Sequence, residues 1–183
     1  MYKWMNNPDK GLIKVRRING LKLTVKYFPA EFLLYKELKT YEEVNLSLKD
    51  SLMEWYKFNH TFLMNISLDE ENSKDIDVMR YGVKNYEEYR EKFLSMNFDL
   101  AQFITLKIND QKLTPVLASL ENVYGLSNDR NIHLVFSPGK EGINDFETMD
   151  LIYNDEIFDT GINHFVFQKR DLDSAPSIKL GKK

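Results

Sequence analysis

Apolar and polar residues alternate with a period of two in some stretches of this chain and recur every three or four residues in others. Leu21, Leu23, Val25 and Tyr27 alternate with Lys22, Thr24 and Lys26, the pattern of a strand with one buried face. Asn19-Gly20 is a strong turn signal directly before it, and residues 12–18 supply an apolar-rich partner, so 12–27 is predicted to be a hairpin. Pro29 is suited to the first position of a short helix, Ala30–Leu38, because its missing N–H has no partner there anyway. Thr40 and Ser51 each begin a capping-box pattern. Val44, Leu48, Leu52 and Trp55 then recur at four- and three-residue spacing, which predicts an amphipathic helix ending near Lys57, although 44–48 also alternates with period two.

Further on, Phe62, Met64, Ile66 and Leu68 predict a strand, and 69–82 reads as a polar loop. Residues 84–98 read as a helix whose apolar stripe is Tyr86, Tyr89 and Phe93. Beyond Ala101 the chain is β-rich. Ile104, Leu106 and Ile108 alternate up to the turn candidate Asn109-Asp110. Residues 113–124 are interrupted by Pro115, as at an edge or a bulge. Ile132, Leu134 and Phe136, then 151–154 and 162–169, give three more strands. The expected class is α+β: a mostly antiparallel sheet with two or three helices concentrated in the first half. The whole chain, 1–183, reads as a single domain, with a subdivision near 99 between a helix-rich 1–98 and a β-rich 99–183.

With 183 residues, 43% of them hydrophobic, the chain is large enough to build its own core. No run approaches the length of a transmembrane helix. A net charge of -3 argues against a nucleic-acid binder that relies on overall charge. There is no cysteine, so disulfides, thiol catalysis and Cys-based zinc sites are absent. G-x-S-x-G, S-x-x-K, Walker A and G-x-G-x-x-G motifs are missing as well, and no cofactor is expected. The N-terminus has no apolar signal-peptide region.

The residues that could carry chemistry are few. His60, His133 and His164 lack metal-ligand spacing, and each reads first as a surface or core histidine. The acids form two clusters: Asp69, Glu70, Glu71, Asp75 and Asp77, then 145–159. Within the second, Asp145, Asp150, Asp155 and Asp159 are candidate Ca²⁺ ligands, without EF-hand spacing. Lys14, Arg16, Arg17, Lys22 and Lys26 gather on the first hairpin, where cations usually protect a sheet edge and where phosphate or lipid-headgroup contact is an alternative. Tyr2 and Trp4 read as aromatics that either staple the chain end to the domain or anchor a partner. N-x-[ST] sequons at Asn45, Asn59 and Asn65 are explained by chance.

Three stretches carry a resemblance. The first is Asn6-Asn7-Pro8-Asp9-Lys10-Gly11-Leu12 followed by Ile18-Asn19-Gly20-Leu21-Lys22-Leu23-Thr24-Val25-Lys26-Tyr27-Phe28-Pro29. The second is Leu113-Thr114-Pro115-Val116 with Glu121-Asn122-Val123-Tyr124-Gly125-Leu126. The third is Gly161-Ile162-Asn163-His164-Phe165-Val166-Phe167 with Asp171-Leu172 and Pro176. Together they resemble small uncharacterised lipoproteins from Bacteroidetes. The resemblance rests on structural punctuation and brings no functional residues. It implies a cell-envelope, outer-membrane lipoprotein tethered through a lipidated cysteine. This sequence has no such cysteine, as a chain starting after the anchor would not; if Met1 is the native start, the expected compartment is the cytoplasm.

The expected function is therefore a non-catalytic envelope accessory or binding protein whose partner is another envelope protein, with no nucleic acid and no membrane contact beyond the anchor. Two alternatives stand beside it: a hydrolase using carboxylates with His133 or His164, and a calcium-stabilised binding module.

Overall fold

Asn19 and Gly20 both adopt positive φ, 50° and 74°, as a two-residue type I′ turn requires. They join β1 (Ile13–Ile18) to β2 (Leu21–Phe28), with Ile18 paired to Leu21. β2 pairs along its whole length with β3 (His60–Leu68), which pairs in turn with β7 (Arg130–Phe136). β6 (Leu117–Leu120) closes this first sheet, in the order β1-β2-β3-β7-β6. A second antiparallel sheet runs β5-β4-β8-β9, from β4 (Ile104–Ile108), β5 (Gln111–Leu113), β8 (Thr148–Asp155) and β9 (Gly161–Gln168). This computed structural model describes residues 2–41, 45–69, 76–139, 143 and 145–176. Glu42, Glu43 and Val44 of the first predicted cap and helix, Glu70, Glu71 and Asp75 of the first acidic cluster, and the basic tail at 179–183 lie outside the described residues.

The period-two pattern puts every second side chain of these strands on an inner face. Leu23, Val25, Met64, Ile66, Ile132 and Leu134 from the first sheet share one buried cluster with Leu106, Met149, Leu151 and Phe165 from the second. Aromatic rings make the bridge. Phe167 on β9 lies with its centroid 5.4 Å from Phe62 and 6.4 Å from Tyr27. The predicted strand at 113–124 is in fact two strands in different sheets. Pro115, which has no N–H to give to a ladder, sits at the crossover, and the Val116 N–H joins the first sheet at 2.8 Å from the Val135 carbonyl.

The chain is α+β, but its helices are not concentrated in the first half. α1 (Tyr2–Met5), α2 (Ala30–Leu38) and α3 (Leu46–Phe58) precede the midpoint. α4 (Tyr86–Leu94) straddles it and runs on through a π turn at Ser95–Asp99, and α5 (Lys169–Asp173) follows the last strand. Pro29 is the residue before α2 rather than its first helical position. Asn45, not Thr40 or Ser51, caps α3: its side chain accepts the Leu48 N–H at 2.7 Å. α3 buries no residue fully and packs on α2, where the Tyr56 hydroxyl donates to Glu37. The expected polar loop at 69–82 hides two core residues, Val78 and Met79. Asp77 seats them: its carboxylate accepts the Met79 N–H at 2.8 Å and two hydrogen bonds from Nη2 of the buried Arg130 at 2.6 and 2.8 Å.

His60 ends the inner face of β3, with the rings of Tyr27 and Phe146 at 6.3 and 6.1 Å and, among the described residues, no hydrogen-bond partner for its Nδ1. Burial lowers its pKa from 6.5 to about 4. The unfolded chain therefore takes up this proton below pH 6.5 while the folded chain resists until about pH 4. Stability present above pH 6.5 is lost as the pH falls toward 4, by up to about 3 kcal/mol. His60→Phe is expected to remove that part of the acid sensitivity in urea titrations across this range. Equal pH slopes in the variant and the natural chain would contradict it.

Candidate functional site

The three histidines do not converge. His133 stands exposed on the outer face of the first sheet, in register between Leu63 and Ser119. His164 stands on the outer face of the second sheet, and His60 lies between the sheets. His164 does have a carboxylate partner: its Nδ1 is 2.7 Å from Asp150 Oδ2. A carboxylate that orients one imidazole nitrogen and leaves the other to solvent is acid–base geometry. The ladder neighbours of the pair are Ile152, Lys107 and Val166, which offer no hydroxyl nucleophile.

The four aspartates offered as calcium ligands are not brought together. Asp150 serves His164. Asp145 accepts the Asn109 amide through its backbone carbonyl, and Asp159, in a left-handed turn at φ 59°, does the same for Asn19. Asp155 is buried, and its lone pairs are already taken. Oδ1 accepts from the Tyr153 hydroxyl at 2.7 Å and the N–H groups of Ile157 and Phe158 at 3.0 and 2.9 Å. Oδ2 accepts from the Thr160 N–H and hydroxyl. Among the described residues, no group of three or more His, Cys, Asp or Glu is placed to hold a metal ion.

Asp155 instead builds the β8–β9 loop. Burial and the neighbouring Asp155 charge, in that order, raise the Tyr153 pKa, so this phenol remains a donor. Asn163, fully buried beside the loop, donates to the Thr160 hydroxyl at 2.9 Å and the Gly161 carbonyl at 3.0 Å.

That loop faces α4 across a cleft of about 620 Å³ lined by Tyr81, Glu91, Lys92, Phe103, Phe158 and Asp159, among others. α4 begins at Asn85, whose side chain accepts the Glu88 N–H at 3.0 Å while Glu88 reaches back to the Lys84 N–H at 2.9 Å. Lys92 clamps helix to loop. Its ammonium donates to the Tyr81 carbonyl at 2.8 Å and lies 4.7 Å from the Phe158 ring centroid. Burial lowers its pKa, opposed by the charges of Asp155 and Glu88.

The expected core stripe of α4 faces mostly outward. Tyr86 is 76% exposed and Phe93 is exposed as well; only Tyr89 packs on the core. The rings stack in sequence, with centroids 6.4 Å apart for both Tyr86–Tyr89 and Tyr89–Phe93. Phe98, in the π turn that follows, is 77% exposed. The inward positions belong to Met96 and Leu100. A stripe read from spacing alone does not say which side of the helix the sheets have left room for.

Tyr2 and Trp4 separate. Tyr2 is 70% exposed, with the Lys26 ammonium 5.8 Å from its ring centroid. Trp4 packs against the core beside the fully buried Met5. No family model, curated protein or solved structure matches this chain.

Asp155→Ala is expected to strand three backbone N–H groups and the Tyr153 hydroxyl, at a cost of about 3 kcal/mol or more in chemical denaturation. Asp155→Asn keeps one acceptor and is expected to cost less. An alanine variant within about 0.5 kcal/mol of the natural chain would show that the loop does not depend on this carboxylate.

Proposed function

We propose that this chain is a non-catalytic accessory or binding protein of a bacterial envelope that engages another envelope protein through the aromatic face of α4. The observation that carries the reading is the exposure of Tyr86, Phe93 and Phe98 on one helix and its extension. Exposed rings cost solvation, and Tyr86, Phe93 and Phe98 lie outside the core cluster. Aromatic side chains bury a large area for little rotamer entropy, which is why they dominate the energetic centres of interfaces. The Lys92 clamp supports the reading, since a rigid helix presents its rings with little ordering cost. The envelope placement draws on the resemblance to Bacteroidetes lipoproteins.

A second reading, hydrolysis, is favoured by the Asp150–His164 pair alone. It predicts activity that His164→Asn abolishes; folded, inactive natural protein against a broad ester and glycoside panel would count against it.

A photo-crosslinking residue at position 98 in envelope extracts tests the main reading. One discrete adduct is expected, and Tyr86→Ser with Phe93→Ser is expected to weaken it by about thirtyfold, equivalent to about 2 kcal/mol. The same probe at position 133 is expected to give none. No adduct at 98, or one indifferent to the double substitution, would overturn the proposal.

A further inference from the structure

The cleft between α4 and the β8–β9 loop is unevenly charged. Its volume of about 620 Å³ is that of a small-molecule site. Four carboxylates and one ammonium line it, a net -3: Glu88 and Glu91 from α4, Glu156 and Asp159 from the loop, and Lys92. Glu88, Glu91, Lys92 and Ser95 recur at three- and four-residue spacing, so one side of the helix supplies this wall. Two of the carboxylates are spent within the fold. Glu88 caps α4, and Glu156 accepts the Asn154 amide at 3.1 Å. Glu91 and Asp159 stand on opposite walls, and among the described residues no hydrogen bond or ion pair engages either carboxylate. Like charges that share a cleft repel, and a cation between them removes that cost. Lys92 shows which kind of cation the walls accept. Its alkylammonium already sits on the Tyr81 carbonyl and beside the Phe158 ring.

We propose that this cleft binds a linear aliphatic polyamine, with ammonium groups on Glu91 and Asp159 and methylenes against Val83, Phe103 and Ile157. The two free carboxylates belong to separate walls, and among the described residues no three acids gather to hold a metal ion. The charges they match are therefore spaced along a chain. The apolar part of the lining suits methylenes, as it would the stem of a lysine, and not a hydrated metal ion. Lys92 offsets only one of the four negative charges. The inference uses the cleft side of α4, not its outward rings, and stands without the partner reading.

Calorimetric titration of the full chain with spermidine tests it. One saturable site is expected, weakened by salt. Butylamine, a single charge on a similar stem, is expected to bind at least about tenfold more weakly. Glu91→Gln with Asp159→Asn is expected to weaken spermidine binding by at least about tenfold as well. Both residues are exposed, and asparagine tolerates the left-handed backbone of position 159, at φ 59°, so this variant is expected to keep its urea midpoint. Asp99→Asn with Asp110→Asn removes the same charge outside the cleft and is expected to change little. No saturable binding, butylamine bound as tightly as spermidine, or equal losses in the two double variants would overturn the proposal. So would displacement of spermidine by equimolar magnesium, the mark of diffuse attraction. A tetralysine peptide bound more tightly than spermidine at the same carboxylates would overturn it in favour of a basic protein segment.

Discussion

The contact between the two inner sheet faces, centred on Phe167 against Phe62 and Tyr27, is the constraint on which the rest depends. Neither sheet has a second apolar layer of its own, so each buries its inner face against the other. Strands from early and late in the chain alternate between the sheets, and β6 and β7 complete what β1 to β3 begin. Polar groups caught between or beside the faces must be paired. Arg130 meets Asp77, and Asp155 is surrounded by donors. His60 instead has its pKa lowered by burial, with no partner for Nδ1 among the described residues.

Once the sandwich is filled, the helices are left at its margins. α3 buries nothing fully, and α4 contributes only part of one side to the core. That position explains how α4 serves as both a wall of a cleft and a carrier of exposed rings. The Asp155 loop and Lys92 supply its rigidity, so the buried hydrogen-bond network and the surface proposed to bind are mechanically connected.

Much of the fold was legible because its strands alternate cleanly. The hairpin at Asn19-Gly20, the inner faces of β2, β3, β4 and β7, and the bounds of α2 follow from local pattern and turn chemistry. What failed to show was long-range. Pro115 marked an interruption, but nothing nearby tells that the chain changes sheets there. Val78 and Met79 looked like loop because the carboxylate that seats them pairs with Arg130, fifty-three positions away. The acids at 145–159 looked like one cluster because they are close in sequence. The alternating pleat and the turn send Asp150 to a histidine and Asp155 to backbone donors. Tyr86, Tyr89 and Phe93 had correct helical spacing and the wrong expected side, since spacing alone does not say where the sheets lie.

One shared core makes both sheets a single cooperative unit. Urea unfolding of the Trp55→Phe variant, followed by Trp4 fluorescence and by far-ultraviolet circular dichroism, is the decisive measurement. Trp4 sits against the core at the N-terminal end of the chain. Coincident transitions are expected, with a common shift of about 3–5 kcal/mol in both signals when Phe167 is replaced by alanine. Two separate transitions, or a Phe167→Ala shift seen by dichroism and not by Trp4, would contradict it.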